Sequence, residues 1–256
     1  MQEDHYASPI AVASVADCTF YHSYDLPKSG CVRGHWDLRG RFDEYVCGAQ
    51  VAGKRVLDVG TASGFLSFEA ERRGADVVSF DAATADYWDR LPFPVHRDPG
   101  SRASWLVGAE DYLLCWKRSY WLVHRELQSK NKVVYGNVYN IPPEIGMFDA
   151  IMVGQILVHL RDAIGALSSI AARCAKTIIV AEGMISDEKP YSAFLGRAAN
   201  PNNDFSFWHH STGFYIELMQ IMGFALCDRC TGAYICNIAG PSPKDVEITT
   251  LVFERG

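Results

Sequence analysis

The sequence predicts a doubly wound α/β fold with a mostly parallel seven-stranded sheet that ends in an antiparallel hairpin. Short apolar segments, typical of strands buried on both faces, alternate with segments of helical periodicity. A turn of small residues over 60–64 joins one such strand to a helix, as in nucleotide-binding βαβ units. Near the C-terminus, two strand-like segments flank Gly240-Pro241-Ser242-Pro243, which is typical of a turn. The strands are predicted over 54–59, 76–80, 132–135, 148–153, 177–181, 224–236 and 246–254.

Helices are predicted where apolar residues recur every three to four positions. Ser63 or Thr61 is suited to cap the helix that follows the small-residue turn, and Gly74 is suited to end it. Gly223 ends the last helix in the same way. The predicted helices span 37–46, 65–73, 110–128, 156–175 and 211–222.

The chain of 256 residues is predicted to form a single domain, residues 1–256, because no linker or internal repeat divides it. Residues 1–50 are expected to form a helical N-terminal cap or lid outside the core fold. Residues 82–109 and 186–210 lack a regular pattern, and long insertions of this kind in compact domains are usually functional. We therefore expect these cap segments to enclose a ligand.

The segment 56–67 carries the strongest functional signal in the chain. The turn Gly60-Thr61-Ala62-Ser63-Gly64 has no bulky side chain, so its backbone can approach a ligand closely. Asp81 ends the next strand, about 20 positions after Gly60, where a doubly wound fold places a carboxylate on ribose hydroxyls. Asp58 precedes the turn and suits a ligand that carries an ammonium group. The pattern therefore predicts a nucleotide site with two acids at strand ends.

A dinucleotide fits this turn poorly. The three positions that hold glycine in the dinucleotide fingerprint are Gly60, Ala62 and Phe65 in this chain. NAD binding also leaves Asp58 without a role. An NAD-dependent reductase is therefore a weak alternative.

The block from Val56 to Asp81 resembles the first motif of class I S-adenosylmethionine (SAM)-dependent methyltransferases. The resemblance implies that Asp58 and the 60–64 turn bind the methionine end of SAM and that Asp81 holds the ribose. Ala62 stands where the family usually has glycine, and this departure is minor because alanine is also small. The residues that this motif assigns to the cofactor are Asp58, Gly60, Thr61, Ala62, Ser63, Gly64 and Asp81.

Two later segments extend the resemblance. Asn137 follows the third strand at the position of a family aspartate that accepts from the adenine amino group, and its amide oxygen can also accept. The backbone N–H of Val138 would then reach the adenine ring. An Asx-type turn is the alternative role of Asn137. Gly154 and Gln155 follow the fourth strand, where the family passes small and polar residues under the cofactor.

Trp36 and Arg39 precede the first core strand. An aromatic face attracts cations, so Trp36 could cover the sulfonium centre or the adenine. Arg39 could pair with the cofactor carboxylate, since a guanidinium binds carboxylates with two hydrogen bonds. The alternative is a helix cap with Trp36 in the core.

His159 is the candidate catalytic residue. Imidazole titrates near pH 6.5, so His159 could take a proton from an acceptor as the methyl group arrives. Many transfers need no base, and a packing role is the alternative. Adjacent histidines on an extended segment point to opposite sides and rarely bind one ion together, so no metal site is predicted. The candidate substrate-binding residues are Tyr24, Tyr87, Trp208, His209 and His210.

The segment 154–224 also resembles the carboxymethyltransferase that modifies the wobble uridine of tRNA. The shared features are a histidine after the fourth strand, Glu182 after an apolar fifth strand, and Gly223-Phe224 after a helix. The net charge of −6 disfavours a nucleic-acid partner, because such binding depends on neutralising phosphates. A tRNA-modifying (carboxy)methyltransferase is therefore the second functional hypothesis.

The main functional hypothesis is a SAM-dependent methyltransferase that acts on a hydroxyl, amine or carbon of a small-molecule metabolite. A non-catalytic SAM-fold binding protein is the third hypothesis, and the intact Asp58 and Asp81 argue against it. The polar N-terminus and the eight scattered cysteines favour a cytoplasmic protein with free thiols. Cys227 and Cys230 form an isolated CxxC, which favours a packing role over a metal site. We expect no membrane association, and the sequence leaves a homodimer open.

Overall fold

The computed structural model describes residues 5–90, 101–197, 205–238 and 242–256. Within these residues, it contains an eight-stranded sheet, two separate two-stranded sheets and five α-helices. The strands are β1 (Tyr24–Leu26), β2 (Gly30–Val32), β3 (Trp36–Asp37), β4 (Arg55–Val59), β5 (Asp76–Ala82), β6 (Lys132–Gly136), β7 (Phe148–Gly154), β8 (Cys174–Glu182), β9 (Ser192–Phe194), β10 (Trp208–His210), β11 (Phe224–Cys236) and β12 (Lys244–Arg255). The helices are α1 (Phe42–Tyr45), α2 (Phe65–Arg72), α3 (Ser101–Leu127), α4 (Ala163–Ala171) and α5 (Thr212–Ile221).

The large sheet has the strand order β3-β11-β12-β8-β7-β4-β5-β6. The five strands β4 to β8 run parallel, and β12 and β11 run antiparallel to their neighbours. The predicted mixed sheet with a C-terminal hairpin is therefore confirmed. The eighth strand, β3, was not predicted; it is two residues long and pairs with Ile235 and Cys236 at the sheet edge.

Alternating side chains of each central strand pack into separate cores on the two faces of the sheet. Val56 packs with Phe65 of α2 and Tyr120 of α3, whereas the next residue, Leu57, packs with Leu167 of α4. Burial on both faces explains why these strands read as continuous apolar segments. Because β4, β5, β7 and β8 run parallel, their carboxyl ends meet along one edge of the sheet, where polar residues follow the apolar ones.

The N-terminal segment is less helical than predicted. The described part of residues 5–50 contains a short 3₁₀ helix, the β1–β2 hairpin, β3 and one helical turn, α1. Gly40 has φ +73°, which interrupts the helix predicted over 37–46 and confines it to Phe42–Tyr45. The segment is held to the core by backbone pairing, as in the bond from Ala7 N to the carbonyl of Val133 in β6 at 2.8 Å.

Three other predictions change in extent. Helix α3 begins at Ser101, inside the predicted loop 82–109, because Gly108 weakens a helix without ending it. The helix predicted over 156–175 is α4 alone, where the Asp162 side chain accepts from Gly165 N at 2.8 Å and fixes a later start. Segment 186–210 contains the β9–β10 hairpin. Other parts of these predicted segments lie outside the described residues. They are residues 91–100 and 198–204 of the two insertions and residues 239–241 of the predicted hairpin turn.

None of the helices within the described residues is both long enough and apolar enough to cross a membrane.

Candidate functional site

The turn after β4 forms one wall of the candidate site. The backbone N–H groups of Gly60 and Thr61 donate to the carbonyl of Phe80 at 2.8 and 3.1 Å, which ties the turn to β5. Gly60 has φ +79°, and a Cβ there would lie 3.0 Å from the Ile156 side chain. Glycine at this position therefore allows the positive φ and leaves room for the loop after β7 to approach closely.

Asp58 lies at the end of β4 and is 1% exposed. One of its carboxylate oxygens accepts hydrogen bonds from Thr61 Oγ1 at 2.8 Å and Ser67 Oγ at 2.7 Å. Burial raises the pKa of Asp58 to about 6 because the charged form is desolvated. The two hydroxyls fix the orientation of the carboxylate and leave capacity for a further donor.

Asp81 lies at the end of the neighbouring strand, β5. Its Oδ2 accepts from Ala62 N at 2.7 Å, and its Oδ1 accepts from Ala82 N at 2.7 Å. Burial raises the pKa of this carboxyl as well. Each oxygen keeps a lone pair, so Asp81 could accept from a diol while it holds the small-residue turn.

A narrow cavity lies between the turn, the end of β7 and the N-terminal segment. Six residues assigned to the cofactor by sequence line this cavity: Trp36, Asp58, Gly60, Thr61, Gly154 and Gln155. Gly154 allows a close approach, since a Cβ there would lie 2.9 Å from the phenol oxygen of Tyr45. The structure therefore brings together residues from three separate parts of the chain.

Tyr21, His22 and Tyr45 also line the cavity, and none of them was predicted from the sequence as a site residue. The His22 backbone N–H donates to Ser63 Oγ at 2.8 Å, so this distant segment is fixed to the turn. Burial, followed by nearby His35, lowers the pKa of His22 to about 3, and its ring is neutral at physiological pH. The aromatic content of residues 20–24 was the only sequence signal for this arrangement.

Tyr24 and Arg39 do not line the cavity. The buried Tyr24 hydroxyl donates to the Ser63 carbonyl at 2.6 Å, which places Tyr24 beneath the turn. Arg39 forms ion pairs with Asp37 at 2.6 Å and Asp25 at 2.7 Å. The guanidinium of Arg39 is therefore engaged with N-terminal carboxylates in this structure.

Asn137 forms the local turn that the sequence allowed as an alternative. Its Oδ1 accepts from Tyr139 N at 3.0 Å and caps the short helix that begins at Val138. The side-chain oxygen has a second lone pair, so this turn is compatible with an additional donor. Val138 is buried at the end of β6, on the side of the site next to Asp81.

His159 ends a short 3₁₀ helix after β7. Its Nδ1 lies 2.8 Å from the carbonyl of Phe205, which can only accept, so Nδ1 carries the proton. Nε2 is then the unprotonated nitrogen and the basic atom of the ring. Burial lowers the pKa of His159, which keeps the ring neutral. The tautomer and charge therefore suit a proton acceptor.

The remaining predicted substrate residues lie on two segments, one in β10 and one in a short 3₁₀ helix after β5. Trp208 Nε1 donates to the Arg161 carbonyl at 3.1 Å, and His210 Nδ1 lies 2.6 Å from Ser192 Oγ. The ring of His209 lies against Gly183, and Tyr87 is 40% exposed after β5. Among the described residues, no group of three or more His, Cys, Asp or Glu is placed to hold a metal ion.

Comparisons with known proteins bear on the fold. No protein-family model matches the chain, and no curated protein matches it. Magnesium protoporphyrin IX methyltransferase (ChlM) from Synechocystis PCC 6803 with bound SAM has a TM-score of 0.50 at 14% identity, with 84% of this chain and 76% of that chain covered. Its structure with bound SAH has a TM-score of 0.51 at 14% identity and covers 84% and 80%. PH1948 from Pyrococcus horikoshii, provisionally described as an RNA methyltransferase, has a TM-score of 0.51 at 14% identity and covers 84% and 83%.

This chain therefore has the fold of the class I SAM-dependent methyltransferases. The fold implied by the resemblance of the segment between Val56 and Asp81 is therefore confirmed. The strand order of the large sheet agrees with this fold. Identities of 14% carry no information on the substrate.

Proposed function

We propose that the protein is a SAM-dependent methyltransferase that modifies a hydroxyl, amine or carbon of a small-molecule metabolite. The observation that carries this proposal is the pair of strand-end carboxyls, Asp58 and Asp81, on either side of the small-residue turn, each oriented by hydrogen bonds from that turn. In this fold, ligands bind at the carboxyl ends of the parallel strands, which is where both acids lie.

The residues present fit SAM. Asp58 and the cavity would hold the amino-acid end, Asp81 would accept from the ribose hydroxyls, and the 137–138 turn would contact adenine. The cavity wall at Gly60 and Gly154 has no Cβ, so its backbone can lie against the ligand. When bound, SAM supplies an electrophilic methyl group on a sulfonium.

The chain's own contribution would be orientation and proton removal. Trp36 and Tyr21 present aromatic surfaces at the cavity, which stabilise a nearby positive charge. The neutral His159, with its free Nε2, would accept the proton that the acceptor loses. Trp208, His209 and His210 would form the wall against the acceptor, and Tyr87 would lie at its rim.

A small molecule is favoured over RNA as the acceptor. The chain has a net charge of −6, which opposes binding to a polyanion. The cavity is also narrow and enclosed by the N-terminal segment.

Mass spectrometry of small molecules released from freshly purified, denatured protein tests the proposal. Recovery of SAM or S-adenosylhomocysteine would support it, and added SAM labelled in the methyl group would then report transfer to candidate metabolites. Recovery of a carboxylated SAM would instead favour the tRNA-modifying alternative. A protein that carries neither and does not bind added SAM would refute the assignment.

A further inference from the structure

Asp89 is a buried acid that contacts two different sides of the candidate site. It lies in the segment that follows β5, and its Oδ2 accepts from the Tyr139 hydroxyl. The same oxygen accepts from Arg161 N at 2.8 Å, and Oδ1 accepts from Arg161 Nε at 3.0 Å. Three donors, one of them a guanidinium, orient this carboxylate strongly. Asp89 therefore joins the chain after β5 to the chain after β6 and to the chain after β7.

Two further hydrogen bonds fix the chain between β5 and Asp89 to helix α3. Lys117 Nζ donates to the carbonyl of Ala83 at 2.7 Å. The backbone N–H of Ala85 donates to Glu110 Oε1 at 2.7 Å. Because both anchors lie on the chain that leads away from the proposed ribose acid, they define the position of Asp89 relative to the cofactor site.

The Tyr139 contact lies on the cofactor side of the site. Tyr139 follows Asn137 by two residues, and Asn137 Oδ1 accepts from Tyr139 N at 3.0 Å. The turn that begins at Asn137 is proposed to contact adenine, and it lies beside the strand end that carries Asp81. A ligand that moves this turn therefore also moves the phenol that donates to Asp89.

The Arg161 contact lies on the acceptor side of the site. The carbonyl of Arg161 accepts from Trp208 Nε1 at 3.1 Å. Three positions earlier, the carbonyl of Val158 accepts from Phe207 N at 2.8 Å. These bonds hold the loop after β7 against the start of β10, and His159, the proposed proton acceptor, lies between them. A carboxylate that holds Arg161 therefore also holds His159 and Trp208.

The pair formed by Asp89 and Arg161 differs from a surface ion pair. The side chain of Arg161 is 61% exposed, but that of Asp89 is 8% exposed and also binds a phenol and a backbone N–H. Exposed pairs gain little, because ordering two long side chains in water offsets their attraction. A buried carboxylate with all its donors in place is instead a rigid point in the structure.

We propose that Asp89 is a positioning residue that holds His159 and Trp208 in place relative to the bound cofactor. This inference rests on the proposed function and adds to it a residue that acts through Tyr139 and Arg161. Because one carboxylate binds both sides, cofactor binding that displaces Tyr139 also displaces Arg161 and, through its carbonyl, the Trp208 ring. The acceptor side of the site is then arranged when the cofactor binds.

Fluorine NMR of the full chain labelled with fluorotryptophan tests this role without a methyl acceptor. The Trp208 resonance is identified by its loss in Trp208→Phe, and S-adenosylhomocysteine is the probe. Asp89→Asn is nearly isosteric, but in either orientation its amide N–H group faces an N–H donor of Arg161. Asp111→Asn, at an exposed position on α3, is the matched control.

Tyr139→Phe is a second variant that leaves the Asp89 carboxylate and its bonds to Arg161 intact. It removes only the hydroxyl that joins the cofactor side to Asp89, so it tests the same connection if Asp89→Asn does not fold. Circular dichroism establishes that each variant is folded, and isothermal titration calorimetry gives its affinity for S-adenosylhomocysteine.

Saturating S-adenosylhomocysteine should shift the Trp208 resonance in the unmodified chain and in Asp111→Asn. Asp89→Asn and Tyr139→Phe should each reduce this shift by about threefold or more, while their affinity for S-adenosylhomocysteine stays within about threefold of the unmodified chain.

A shift of undiminished size in either folded variant would overturn the inference. An unmodified chain that binds S-adenosylhomocysteine without a change at Trp208 would also overturn it and would leave the proposed function intact. An unmodified chain that does not bind S-adenosylhomocysteine would refute the proposed function and this inference with it.

Discussion

Asp81 is the residue on which proposed cofactor binding depends most directly. Its two oxygens already accept from Ala62 N and Ala82 N at 2.7 Å, so the carboxylate is fixed before a ligand arrives. Replacing it with alanine removes a charged acceptor for two ribose hydroxyls. At about 1.5–3 kcal/mol for a hydrogen bond to a charged group, we expect SAM affinity to fall by at least tenfold.

The control for Asp81 is Asp81→Asn, which keeps one oxygen for Ala62 N but has no charge. Its SAM affinity should lie between those of the unmodified chain and Asp81→Ala, as measured by equilibrium dialysis with labelled SAM. Equal affinity in all three proteins would contradict the assigned ribose contact.

His159 gives a prediction about the pH dependence of transfer. Burial lowers its pKa below the ordinary value of 6.5, and only the neutral ring can accept a proton. The kcat/KM of methyl transfer should therefore rise with pH through an inflection below 6.5 and be flat near pH 7. His159→Gln should lose this inflection and reduce kcat by roughly a hundredfold or more. An unchanged profile in the variant would assign proton removal to another group.

The sequence predicted the residues of contiguous motifs better than those assembled from distant segments. Asp58, Gly60 and Thr61 line the cavity because strand, turn and helix follow one another along the chain. Tyr21 and His22 could not be predicted, because their position depends on backbone pairing with Trp36. Arg39 illustrates the same limit, since its partners, Asp25 and Asp37, are acids of its own N-terminal segment.

The elements were predictable wherever burial imposes a pattern. Strands β4 to β8 are continuously apolar because both faces are covered, and their existence and order along the chain were correct. The helix limits depended on single contacts that periodicity does not encode. A single long helix was predicted over 156–175, but the chain forms a short 3₁₀ helix followed by α4. The hydrogen bond from Leu157 N to Glu182 holds the first part, and the Asp162 cap sets the start of α4.

The turn between β4 and α2 is sensitive to substitution at Gly64, its last residue. Gly64 has φ +88°, and a Cβ there would lie 2.4 Å from Phe68 and 2.8 Å from Tyr120. Gly74, which has φ +90° and open space around it, is a matched control for the backbone conformation alone. Gly74→Ala should cost about 1–2 kcal/mol of unfolding free energy, the ordinary penalty of a left-handed alanine.

Gly64→Ala should cost about 1–3 kcal/mol more than Gly74→Ala, because overpacking against Phe68 and Tyr120 adds to the backbone penalty. Urea unfolding followed by circular dichroism measures both free energies. Equal losses in the two variants would mean that the core around Phe68 and Tyr120 adapts at no cost.

Buried carboxyls make the stability of the whole molecule depend on pH. The folded protein holds the Glu182 proton up to about pH 8, whereas the unfolded chain releases it near 4.5. Because the folded state binds more protons in this window, the contribution of Glu182 to stability falls as pH rises from 4.5 to 8. Each unit of pH within the window costs at most about 1.4 kcal/mol.

Glu182→Gln does not titrate, so it isolates this effect from the other ionisable groups. The unfolding free energy of the variant, relative to the unmodified chain, should increase steadily between pH 5 and pH 8. Urea unfolding at three pH values in this range measures the difference. A constant difference would show that the carboxyl has an ordinary pKa in the folded protein.

Binding of S-adenosylhomocysteine by the unmodified chain, measured by isothermal titration calorimetry, tests the central claim most directly. The two strand-end acids and the turn between them predict one binding site per chain, and Asp81→Ala should weaken binding at least tenfold. Absence of binding at millimolar ligand by a folded protein would contradict the account, because the fold would then be present without the cofactor site that its acids imply.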